Sequence, residues 1–146
     1  MERRTFIKKL ALGSALLAGI LSLLGILRAI VPKLTRDKMT YKLGHAADFP
    51  MNTFTLAEKA SVFIYRDHVG LRAVSALCTH LGCTLEQSDD GFLCPCHGSS
   101  FDGDGRAQSG PAPQSLAWFQ VSLAPDGQLV VDKTKRVSSA DIFRIT

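Results

Sequence analysis

The chain has 146 residues, a formal net charge of +4 and a sequence pI near 9.0. The basic excess sits in residues 1–38, with eight Lys/Arg against two Asp/Glu, whereas residues 39–146 carry nine against eleven. The larger part has no basic excess, so the composition argues against nucleic-acid binding. Its length suits one domain with a modest core, which a cofactor or disulfide would help to stabilise.

Residues 1–9 begin Glu2-Arg3-Arg4-Thr5-Phe6-Ile7-Lys8. This resembles a twin-arginine export signal, with Ile7 in place of the usual leucine. Such a route carries folded proteins across the membrane, and so suits a cofactor inserted before export. From Leu10 to Leu27 there is no charge. The apolar run extends to Val31, about 33 Å as a helix at roughly 1.5 Å per residue, against a hydrocarbon core of about 30 Å. Residues 10–31 are therefore read as a transmembrane anchor, with Arg28 snorkelling at the far interface and Pro32 disfavouring further helix. No small-x-small cleavage site follows the run, so the signal is expected to stay as a single anchor. Basic residues flank both ends, and the positive-inside rule does not set the orientation. The expected location is a bacterial inner membrane, single-pass, with the domain on the periplasmic or outer face.

Residues 32–40 are short, charged and without apolar period, and read as a tether that spans about 30 Å at most. Residues 41–146 show short strand-like runs separated by turns. Ser61–Tyr65 and Leu71–Ser75 are predicted strands joined by a turn at Asp67-His68-Val69-Gly70. Thr53–Leu56 is a further candidate. Leu116–Leu123 alternates, with Ala117, Phe119, Val121 and Leu123 on one face, and Pro125-Asp126-Gly127 turns it into Gln128–Val131. The fold class is all-β, a small antiparallel domain. His45 and His68 read as solvated, and residues 133–146 receive no role.

All four cysteines and two of the four histidines fall in two short stretches, Cys78-Thr79-His80-Leu81-Gly82-Cys83 and Cys94-Pro95-Cys96-His97-Gly98-Ser99. Cys78 with His80, and Cys94 with His97, offer two thiolates and two imidazoles. Cys83 and Cys96 are left over, one in each stretch; were the loops to converge on one metal, these two would come within disulfide range. A single zinc could take the four ligands. Zinc spacings, however, usually pair Cys with Cys and His with His, whereas each loop here delivers one of each. That suits a binuclear iron–sulfur centre with thiolates on one iron and imidazoles on the other.

These two stretches resemble the cluster-binding boxes of Rieske iron–sulfur proteins, in the version with an extra cysteine pair found in cytochrome bc and bf complexes. Gly110-Pro111-Ala112-Pro113 resembles the proline loop that covers the cluster there. The resemblance implies a Rieske-type domain over residues 41–146, with a cluster-binding subdomain at about 78–113. It implies one 2Fe-2S cluster held by Cys78 and Cys94 on one iron and by His80 and His97 on the other, and a Cys83–Cys96 disulfide. It implies that Ser99 donates a hydrogen bond to a bridging sulfide. High-potential members carry tyrosine where this chain has Phe101, so a lower potential is expected, and with it a menaquinol-like donor. The implied activity is that of an oxidoreductase: the electron-transfer subunit of a quinol:cytochrome c oxidoreductase. In it His97, or else His80, meets the quinol, beside a cytochrome b-type membrane subunit and a c-type cytochrome. The alternative is a subunit of another exported oxidoreductase, such as an arsenite-oxidase-type molybdoenzyme.

Overall fold

The computed structural model describes residues 3–30 and 39–145. Most of the expected tether, and the end of the predicted span at Val31, lie outside the described residues. Helix α1, Arg3–Ile30, contains a stretch, Thr5–Arg28, long and apolar enough to cross a membrane. The leucines and isoleucines within Thr5–Arg28 are exposed.

Residues 37–146 form a separate compact unit. Its ten strands are β1 Thr40–His45, β2 Phe54–Ala57, β3 Val62–Arg66, β4 Leu71–Ser75, β5 Glu86–Ser88, β6 Gly91–Leu93, β7 Ser100–Asp102, β8 Ala107–Ser109, β9 Trp118–Leu123 and β10 Gln128–Val137. They build two antiparallel sheets. A six-stranded sheet runs β1-β10-β9-β4-β3-β2, and a four-stranded sheet runs β5-β6-β7-β8. This is the expected all-β antiparallel class. β1 begins at Thr40, where the tether was expected to end, and β10 continues to Val137 into a segment left without a role.

The hairpin predicted around residues 67–70 is present, with Phe63 opposite Val74 and Ile64 opposite Ala73. Asp67 closes it by accepting hydrogen bonds from the backbone N–H groups of Val69 and Gly70, at 2.8 and 2.9 Å. Gly70 is needed for another reason: a Cβ there would collide with the Phe143 carbonyl. That contact lets the C-terminal segment pair with Leu71, which exchanges two backbone hydrogen bonds with Phe143 at 2.8 and 2.9 Å.

The consecutive apolar run Val62-Phe63-Ile64 is buried on both sides of the sheet, as such runs are when both faces are covered. Val62 and Ile64 face one core with Leu71, Ala73, Phe119, Val121, Leu129 and Val131. Phe63 faces a second core with Val74, Trp118, Leu85, Phe92, Phe101, Cys78 and Cys94. β9 is likewise two-sided. Ala117, Phe119 and Val121 share a face as predicted, but Trp118 is buried on the other, and Leu123 is exposed. The second core joins the two sheets. Phe92 is its centre, stacked on Phe63 at 5.0 Å and edge-on to Phe54 at 4.8 Å.

Phe92 has no exposed surface. Replacing it by alanine should therefore cost about 3–5 kcal/mol. Denaturant unfolding of Phe92→Ala followed by far-UV circular dichroism will measure this. An unchanged midpoint would show that the two sheets do not depend on this core.

Candidate metal centre

The two cysteine-bearing stretches fold into loops of the same backbone design. In the first, the N–H of Cys78 donates to the Cys83 carbonyl at 2.8 Å, and the N–H of Gly82 to the Cys78 carbonyl at 2.9 Å. In the second, the N–H of Cys94 donates to the Ser99 carbonyl at 2.8 Å, and the N–H of Gly98 to the Cys94 carbonyl at 3.0 Å. Each loop thus closes five residues after its first cysteine. Each also places a glycine at the fifth position with positive φ, +78° at Gly82 and +71° at Gly98. Nothing crowds either glycine, so glycine is required there for the left-handed backbone and not for space. The flanks match as well: Leu77 bridges Thr84 around the first loop, and Leu93 pairs with Ser100 around the second.

Side chains leave these frames in two directions. Cys78 and Cys94 point inward: both are free thiols, 3% and 1% exposed, within the second core. His80 and His97 lie toward the surface, their rings 4.9 Å apart and nearly perpendicular. Cys83 and Cys96 are joined as a disulfide across 6.6 Å between their Cα atoms. The sulfurs of Cys83, Cys94 and Cys96 all lie within 4.8 Å of one another. That trio is not a ligand set, because two of its members are bonded to each other.

Burial of Cys94 opposes ionisation. The backbone N–H of Cys96, the Cys78 side chain and the backbone N–H of His97 outweigh it, so the Cys94 thiol sits below the usual cysteine range. A sulfur that accepts hydrogen bonds in this way is prepared to be a thiolate ligand. With two thiols at a dry side and two imidazoles at a wet edge, the donor set fits an asymmetric binuclear centre.

A third segment braces both loops. Gly110 packs so closely on the second that a Cβ would meet the Ser99 Cα at 2.5 Å, with φ at +85°. The N–H of Ala112 donates to the Ser99 hydroxyl at 3.2 Å. Ser99 is fully buried; its oxygen is used by Ala112, and its own hydrogen is left to donate. On the other side, the hydroxyl of Thr79 donates to the Gln114 carbonyl at 2.6 Å. Thr79 escaped the sequence reading. Its signal was a hydroxyl inside a ligand loop, which has no ligand role and so wants a partner.

Phe101 is 2% exposed and packs in the core with both free cysteines. Leu81 is 71% exposed, and Pro111 and Pro113 are exposed beside the loops. His45 and His68 are exposed, as expected.

A family model described as the Rieske [2Fe-2S] domain matches residues 39–120. The cytochrome b6-f complex iron-sulfur subunit of Chlorobaculum tepidum is 35% identical over 136 residues, 89% of this chain and 75% of that one. The subunit of the same name from Cyanothece sp. (strain PCC 7425) is 31% identical over 147 residues, 86% and 82% of the two chains. Among solved structures, the cyanobacterial plasma membrane Rieske protein PetC3 from Synechocystis PCC 6803 is similar with a TM-score of 0.47 and 26% identity, over 62% of this chain and 97% of that one.

Gly110→Ala should destabilise the domain by about 1–3 kcal/mol, through overpacking against Ser99 and the positive φ. It should also loosen the loops. Thermal unfolding will report the first effect, and the rate of metal loss to a chelator the second. A variant indistinguishable from the parent in both would refute the bracing role.

Proposed function

The chain belongs to the Rieske [2Fe-2S] family, and from that premise we propose that it is the electron-transfer subunit of a membrane quinol:cytochrome c oxidoreductase. The observation that carries this reading is the pairing of His80 with His97 at a solvent-facing edge, above two buried free thiols, on loops locked by a disulfide. The relatives named as cytochrome b6-f iron-sulfur subunits support it.

In this reading Cys78 and Cys94 hold the inner iron of the cluster, and His80 and His97 the outer one. When bound, the cluster would supply a one-electron centre whose histidine ligation places its potential at about −150 to +300 mV, suited to passing an electron from quinol to a c-type cytochrome. Each ligating imidazole has one ring nitrogen left over. His97 is the more exposed of the two, and its free nitrogen accepts the quinol hydroxyl proton. The exposed apolar side chains of Leu81, Pro111 and Pro113 offer an apolar docking surface beside the loops. Ser99, with its hydroxyl hydrogen uncommitted, donates to a bridging sulfide, and such outer hydrogen bonds tune the centre.

The membrane arrangement belongs to the same proposal. Arg3 and Arg4 with Phe6 act as a twin-arginine signal, residues 10–31 stay as a single anchor, and residues 32–40 tether the domain on the outer face of a bacterial inner membrane. A cytochrome b-type subunit is the partner in the membrane. Phe101 removes the hydroxyl that high-potential relatives carry, which favours menaquinol as donor.

Isolation of the tagged full-length chain from native membranes tests the reading. A multi-haem cytochrome b should co-purify, and a menaquinol analogue should reduce the chain within that complex. Co-purification with a molybdenum subunit and no cytochrome b would contradict it. Phe101→Tyr should raise the midpoint potential, by roughly 40 mV for about 1 kcal/mol of hydrogen bonding gained in the reduced state. Protein-film voltammetry giving an unchanged or lower value would remove the case for Phe101 as the tuning position.

A further inference from the structure

The disulfide and the buried thiol beside it form a reactive set as well as a structural one. The sulfurs of Cys83, Cys94 and Cys96 all lie within 4.8 Å of one another. Two of them are the bridge, and the third is reduced and unpaired. Thiol–disulfide exchange needs a reduced sulfur, a disulfide and a short approach between them. All three are present here, and the Cys94 side chain has only to turn into line with the bridge for attack to become possible.

We propose that in the cluster-free chain the Cys94 thiol attacks the Cys83 sulfur of the bridge, so that a Cys83–Cys94 disulfide replaces Cys83–Cys96. The S–S bond between Cys83 and Cys96 breaks as the new one forms. Cys96 leaves with the electron pair and takes up the proton that Cys94 gives up, so no outside oxidant or reductant is consumed. Attack at Cys83 is favoured for two reasons. Attack at Cys96 would close a small ring across Pro95 alone, while attack at Cys83 joins two loops already side by side. In addition, Cys96 is exposed and Cys83 half-buried, so the departing sulfur at Cys96 is released into water.

The inference rests on the proposed role of Cys94 as a cluster ligand. Once that sulfur is bound to iron it is no longer available for attack, and the bridge is safe. A chain oxidised before loading has a ligand held in a disulfide, and filling must wait until Cys96 reverses the exchange or a reductant opens the bond. The arrangement therefore fixes an order, with the cluster first and the bridge second. That order matches insertion in a reducing compartment followed by export of the folded domain.

The full-length chain in detergent tests this. Its cluster is removed under argon with a chelator, and timed samples are acid-quenched and alkylated with N-ethylmaleimide. Digestion at Glu86 separates Cys83 from Cys94, and fragment-ion mass spectrometry locates the label. In the loaded chain, label should appear on Cys78 and Cys94. In the cluster-free chain it should shift from Cys94 to Cys96 in most molecules, with two labels per chain throughout. The rate at which iron and sulfide rebuild the visible absorption should fall in parallel and be restored by dithiothreitol. Cys94→Ser should keep Cys83–Cys96 intact indefinitely. Label that stays on Cys94 after prolonged incubation, or a loss of label from Cys78 instead, would overturn the proposal. Cluster binding by the Cys94→Ser chain would overturn the ligand assignment, and with it the claim that loading protects the bridge.

Discussion

In the finished protein, the covalent bond between Cys83 and Cys96 is the constraint that holds the site. The proposed centre needs four donors from two loops at one point, and the loops' own backbone hydrogen bonds fix only the shape of each loop. The bridge fixes the loops against each other. Closing a segment of 13 residues' separation removes chain entropy from the unfolded state worth about 3 kcal/mol. It also holds His80 beside His97 at an edge where little else packs. Gly110, Ala112, Thr79 and Gln114 add a second, non-covalent brace from the side.

Beneath the loops the constraint passes into the core. Cys78 and Cys94 belong to the same apolar cluster as Phe92, Phe101 and Trp118. The donors at the buried side are therefore as rigidly placed as any core side chain. Trp118 reaches further, its ring N–H donating to the Asp104 carbonyl at 2.8 Å, which ties the turn between β7 and β8 to the larger sheet. Arg72 lies over both Tyr65 and Trp118, at 5.0 and 5.5 Å, and its Nε is a buried donor with no partner among the described residues. Packing thus supports the dry half of the site, while the wet half is held mainly by the bridge and the proline segment.

Much of this was legible in the residues. The hairpin of β3 and β4, and the β9–β10 pair, announce themselves through apolar runs and turn chemistry. Both ligand loops stand out because cysteine and histidine are scarce elsewhere, and the Cys83–Cys96 bond expected from the family resemblance is present. The four-stranded sheet was not legible. Its strands are three residues long, and Glu86–Ser88 and Ala107–Ser109 are wholly exposed, so they carry no apolar period. Their order comes from the loops they flank. β1 was not read as a strand, because Gly44 and the register shift between Lys42 and His45 interrupt its alternation. The single-faced reading of β9 missed Trp118, because alternation cannot reveal a strand buried on both sides. Thr79 depends on a contact 35 residues away, beyond the reach of any local pattern.

The central claim is that one centre joins two inner sulfurs and two outer imidazoles. Pulsed electron paramagnetic resonance of the reduced full-length protein tests it most directly, because directly bound nitrogen couples strongly to the unpaired spin. The account predicts two inequivalent nitrogen couplings, with one of them lost or altered in His80→Cys and the other in His97→Cys. A spectrum of the reduced protein without nitrogen coupling, or one unchanged by both substitutions, would contradict it.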